Sequence, residues 1–99
     1  MIIVSGLVEI APENREQSIA AVVELARATR LETGCISYAF YEDLEKPNCF
    51  RVFEEWKDEE ALQKHFRAPH MAAFRDRLVG VEIRLRQIRR YDVESVSEL

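Results

Sequence analysis

The stretch CFRVFEEWKDEEALQKHFRAPHMAAF, Cys49 to Phe74, changes its structural period twice in twenty-six residues. Cys49 to Trp56 reads as a strand. Asp58 is a good helix N-cap, with Glu59 and Glu60 in the first turn beside the positive end of the helix, and Leu62 and Phe66 stand four apart on one stripe. His65, three residues from Leu62, borders that stripe. Pro69 forces a break and can begin a further helical piece, in which Met71, Phe74 and Leu78 keep helical spacing as far as Gly80. Trp56 and His65, two side chains able to carry chemistry, thus fall within one strand-turn-helix unit.

On the N-terminal side of this unit, Cys35 to Glu42 alternates in the strand manner, and DLEKPN, Asp43 to Asn48, has the composition of a turn. Cys35–Glu42 and Cys49–Trp56 therefore form a hairpin. A register pairing positions that sum to 92 sets Tyr38 opposite Glu54, Phe40 opposite Val52 and Ile36 opposite Trp56, all on one face; an odd sum sets Phe53 with Tyr38 instead. Both registers remain open at this level.

Ile2 to Ile10 is apolar on both faces, Ile2, Val4, Val8 and Ile10 against Ile3 and Leu7, and so expects cover on both. Pro12 suits a first helical turn, Ile19, Val22, Val23 and Ala26 follow three-four spacing, and Gly34 supplies a left-handed stop, which predicts a helix over about Glu13 to Glu32. Val81 to Tyr91 alternates again, with Val81, Ile83 and Leu85 inward and Ile88 out of phase, and the tail from Val93 is polar. The order is β-α-β-β-α-β, an α+β fold of the ferredoxin-like kind with both helices on one sheet face. The opposite face, apolar in its own right, predicts a homodimer in which a second copy covers it.

Ninety-nine residues, 47% hydrophobic and 32% charged with no low-complexity tract, amount to one domain, residues 1–99. A net charge of -4 opposes a nucleic-acid partner. The first ten residues lack a basic segment and no apolar run approaches the ~20 residues of a membrane span, so no membrane partner and a cytoplasmic location are expected. Cys35 and Cys49 lie at opposite ends of the hairpin, ~23 Å apart at ~3.3 Å per residue, too far for a disulfide. No CxxC, HxxxH or clustered His, Cys and carboxylate spacing is present, and no metal is expected.

Glu54-Glu55-Trp56, then Asp58 to Leu62, His65, Ala68-Pro69-His70-Met71 and Phe74 form an ordered set that resembles the antibiotic biosynthesis monooxygenase (quinol monooxygenase-like) family. Glu32-Thr33-Gly34-Cys35-Ile36-Ser37-Tyr38 is similar to that family's entry into its second strand, and the likeness covers nearly all of Ile2 to Tyr91. The resemblance implies a dimeric α+β barrel with a small-molecule cavity between helices and sheet in each subunit. For several members it implies oxidation of a quinol or phenol by O2 with no metal, flavin or haem cofactor. The family's haem-degrading branch places Asn, Trp and His where this chain has Ser5 or a neighbour, His65 and Arg75, which argues against haem breakdown.

Within that frame His65 is the candidate general base, since an imidazole of pKa near ~6.5 can take a phenol proton and the phenolate is the form that reacts with O2. A histidine that merely satisfies the core is the competing account. Trp56 either stacks on the substrate, as a second catalytic residue, or closes the core. Glu54 either orients His65, bonds Tyr38, or forms an uninformative salt bridge; Tyr38 either bonds a quinol oxygen or fills the strand. Phe40, Phe66, Phe74 and Met71 belong to the core but shape any pocket, His70 is a substrate contact or a solvent-exposed helix start, and Arg51 and Arg75 read as surface charge. The function expected is a cofactor-independent monooxygenase acting on a quinone-like aromatic. The alternatives are a non-catalytic dimeric ligand-binding module and an isomerase of a small carbonyl compound.

Overall fold

Strand β1, Ile2–Ile10, is one of two inner strands of the sheet in the computed structural model, which describes residues 1–99. Its β-branched residues pair on one side with β3, Cys49–Trp56, and on the other with β4, Ile83–Asp92. Strand β2, Cys35–Glu42, completes the sheet beyond β3, giving the order β2-β3-β1-β4 with every pairing antiparallel. Helix α1, Arg15–Thr29, links β1 to β2, while α2, Glu59–Phe66, and α3, Pro69–Arg77, link β3 to β4. The fold is the expected ferredoxin-like α+β arrangement, with the second helix split in two at Pro69.

The hairpin adopts the even register, Tyr38 opposite Glu54 and Phe40 opposite Val52. Ile36 departs from it. An irregularity between Cys35 and Ser37 sets Cys35 opposite Trp56 and leaves Ile36 exposed, because one extra residue in a bulged strand turns its neighbours out of phase. The same effect corrects the reading of the last strand. A register shift at Glu9/Ile10 puts Ile83 opposite Ile10 but Leu85 opposite Glu9, so Ile83 and Ile88 face the helices and Leu85 faces away. Helix α1 is also shorter than the spacing predicts. Pro12–Asn14 is a single 3-10 turn, and after Thr29 the chain leaves the helix by turns in which Leu31 and Glu32 donate to Ala28 and Thr29.

Transverse rows of side chains organise the sheet face beneath the helices. Tyr38, Glu54 and Val4 form one row; Phe40, Val52 and Ile88, with Gly6 between, form the next; Phe50, Val8 and Arg86 form the third. The core condenses over the first row, where Ile2, Val4, Tyr38, Val52 and Trp56 pack against Leu25, Ala26, Ala61 and Leu62 from the helices. The other sheet face carries Ile3, Leu7, Phe53, Tyr41 and Tyr91, of which Tyr41 is 62% exposed. Both cysteines are free thiols. No helix is long and apolar enough to cross a membrane.

Candidate functional site

Helix α2 delivers the central residue. Asp58 caps it by accepting the Ala61 amide at 2.9 Å, and seven residues on, His65 points inward onto the sheet, 1% exposed. Its ring packs against Trp56, 4.7 Å between centroids, and Tyr38, 5.5 Å. Pro69 then ends the helix, because Ala68 before it must be extended, and the restart places His70 in the first turn of α3, 6.1 Å from the His65 ring.

The third member comes from the loop after α1. Gly34 has φ +89, and a Cβ there would meet the Ala61 side chain at 2.6 Å; only glycine lets the loop run so close to α2. That close approach brings the Glu32 carboxylate between the two imidazoles. One oxygen, Oε2, lies 2.7 Å from His65 Nδ1 and 2.6 Å from His70 Nε2. An ionised carboxylate only accepts, so both nitrogens donate to it. In neutral His65 the proton is therefore on Nδ1 and the lone pair on Nε2, which makes no hydrogen bond within the protein. Burial lowers the His65 pKa from its ordinary value and outweighs the opposite pull of Glu32, so the ring is held in its basic, neutral form.

A cavity of about 510 Å³ lies between the sheet and all three helices, and 18 of its 23 lining residues are hydrophobic, enough to make the interior a low-polarity medium. His65, Tyr38 and Glu54 supply polar groups at one end. Phe40, Phe66, Phe74 and Met71 line its walls. The Tyr38 hydroxyl has no partner within the chain, and burial together with the nearby Glu54 charge raises its pKa well above the usual phenol range, so it stays a neutral donor. Glu54, only 7% exposed, is pushed up to about 7 by burial, with the Trp56 indole opposing and the Glu32 charge reinforcing the shift.

Several sequence-based expectations need correction. Trp56 is fully buried and does not line the cavity; its Nε1 donates to Glu54 Oε1 at 2.9 Å, and its ring backs His65 rather than facing a ligand. Glu54 is accordingly bonded to Trp56, not to His65 or Tyr38. The residue that orients His65 is Glu32, which sequence reasoning noticed only as part of the entry to β2; its neighbour Gly34 was the available signal. His70 lies outside the cavity lining and bonds Glu32. Arg51 bonds Ser5 on the other sheet face, at 3.2 Å, and neither Ser5 nor Arg75 lines the cavity. Donor atoms of Glu32, His65 and His70 all lie within 4.8 Å of one another, so the fold assembles a cluster of metal-capable groups that linear spacing conceals.

The sequence pattern described as antibiotic biosynthesis monooxygenase matches residues 1–77, β1 through α3. The chain is 33% identical over 98 residues to the uncharacterized protein sll1783 of Synechocystis, covering 99% of this chain and 67% of that one. It is 31% identical over 74 residues to YcnE of Bacillus subtilis, itself a provisional monooxygenase, covering 75% of this chain and 78% of that one. Among solved structures, a provisionally assigned antibiotic biosynthesis monooxygenase from Deinococcus radiodurans superposes with a TM-score of 0.91 at 27% identity, covering 100% of this chain and 98% of the other. A conserved protein from Methanosarcina mazei gives 0.83 at 31% identity, over 91% and 89% of the two chains.

Proposed function

The chain belongs to the antibiotic biosynthesis monooxygenase family, and on that premise we propose that its cavity oxidises a quinol or related phenol with O2 and without a cofactor. The observation that carries this reading is a buried imidazole on the wall of an apolar cavity, with Nδ1 tied to Glu32 and Nε2 free. His65 Nε2 removes a phenolic proton, and the low polarity of the cavity leaves the phenolate poorly solvated and electron-rich. The neutral Tyr38 hydroxyl donates to a substrate oxygen. For a quinol with one open ring position the balance is quinol plus O2 giving hydroxyquinone plus water. One oxygen atom enters the ring, the other leaves as water, and the quinol supplies all four electrons.

A second copy covering the open sheet face is part of the same proposal. Ile3, Leu7, Phe53, Tyr41 and Tyr91 make that face apolar enough to favour burial. Light scattering at micromolar protein tests it, and a monomer contradicts it.

The activity is tested by O2 uptake with menadiol, corrected for autoxidation, in wild type and His65→Ala. General-base catalysis is worth roughly 10²–10⁴-fold, and the substitution is expected to remove that much of the enzyme-dependent rate. Menadiol binding with no enzyme-dependent uptake in wild type would instead make the chain a ligand-binding module, and turnover of a carbonyl compound without O2 would make it an isomerase.

A further inference from the structure

We propose that Glu32, His65 and His70 form a binding site for one divalent transition-metal ion of the zinc type. The three donors come from three separate elements, the α1–β2 loop, α2 and α3, and their ligand atoms lie within 4.8 Å of one another. Two imidazoles and one carboxylate are a donor set that suits such ions, and harder cations that prefer all-oxygen shells are disfavoured. The two short contacts, 2.7 and 2.6 Å, show both ring nitrogens already aimed at the carboxylate oxygen. Zinc bonds of about 2.0–2.2 Å in a tetrahedral arrangement need donor atoms about 3.3 Å apart, so the two Glu32 contacts lengthen by about 0.6–0.7 Å while the two ring nitrogens, which lie within 4.8 Å of each other, close by at most about 1.5 Å to admit an ion.

The surroundings allow that movement. The side chains of Glu32 and His70 are 14% and 24% exposed, on a loop and in the first turn of a short helix, which gives both an entry path and freedom to adjust. His65 is the fixed member, held between Trp56 and Tyr38. Three protein ligands leave a fourth position for water.

Occupancy has a consequence that rests on the reading of His65 as the base. An ion on Nδ1 forces the remaining ring proton onto Nε2, the atom left free for the cavity, so the loaded protein turns over more slowly. The binding claim itself does not depend on turnover.

Calorimetric titration of the full chain with zinc chloride, in a non-chelating buffer, is expected to give one ion per chain. His65 and His70 are the only histidines, so His70→Ala and Glu32→Gln, each checked for native circular dichroism, should weaken binding by more than about 100-fold, beyond the cost of losing an outer-shell partner. Cys35→Ser should bind as wild type does. Cobalt(II) loaded in place of zinc should show visible bands of tetrahedral intensity that vanish in His70→Ala. Absence of stoichiometric binding, binding unchanged in His70→Ala, or binding lost in Cys35→Ser would each overturn the proposal. Zinc binding with no enzyme-dependent O2 uptake would uphold the metal site while refuting the monooxygenase reading, so the two fail separately.

Discussion

Replacing Glu54 by Gln tests whether a carboxyl really is buried between Tyr38 and Val4 in the first sheet row. Burial raises this group from the ordinary 4.5 to about 7. Between those values the folded chain holds a proton that the unfolded chain has released, so stability falls as pH rises, and the loss is complete above about 7. At about 1.4 kcal/mol per tenfold change in acidity, the ionised carboxylate costs the fold about 3 kcal/mol at pH 8 relative to pH 4.5. Glutamine keeps an oxygen for the Trp56 indole and never ionises, but its amide hydrogens need acceptors, an offset of about 1–3 kcal/mol that does not vary with pH. The useful quantity is therefore a double difference, Glu54→Gln minus wild type at pH 8 against the same at pH 4.5, in which other titrating groups cancel. It should be about 3 kcal/mol in favour of the variant, about 12–24 °C in Tm for a chain this size. Urea denaturation at the two pH values measures it. A double difference near zero would mean that Glu54 stays ionised at low cost, and would refute the account of how this end of the cavity is built.

Further outcomes follow from the same geometry. Glu32→Ala should lower kcat for menadiol oxidation by about 10²-fold while leaving KM within about threefold, because the acceptor that fixes the His65 tautomer is lost without any group that touches substrate; a change confined to KM would contradict this. Gly34→Ala should destabilise the chain by at least about 1 kcal/mol, through a strained φ of +89 and the collision with Ala61, and should lower kcat alongside, since the same turn delivers Glu32. Thermal melts and O2 uptake on one preparation read both effects.

The fold was largely legible because its signals are local. Alternation in Cys35–Glu42 and Cys49–Trp56, the Asp58 cap and the Pro69 break each depend on near neighbours in sequence, and the observed element bounds follow them closely. Phase was less legible. The irregularities beside Ile36 and at Glu9/Ile10 shift whole strand ends to the other face, and no residue type there announces them. Half of the site was readable for the same reason. His65, Tyr38, Phe40 and Phe66 reach the cavity because their strand or helix spacing points them there. Glu32 stands 33 residues from its partner His65, and a contact of that range depends on how the loop at Gly34 packs on α2, which spacing does not encode. Trp56 misled for a related reason: one face of β3 supplies both cavity wall and deep core, and only the packing of α2 over the strand end separates them.

The most direct test of the account is the protonation pattern of the His65 ring, read by long-range nitrogen-proton correlation NMR on uniformly labelled protein above neutral pH. A proton on Nδ1 with a bare Nε2, whose resonance moves when menadione, a quinone with no phenolic proton to give, is added to the Cys35→Ser protein, is the predicted result. A proton on Nε2, or an Nε2 resonance indifferent to menadione, would leave the cavity without its base and contradict the proposed chemistry.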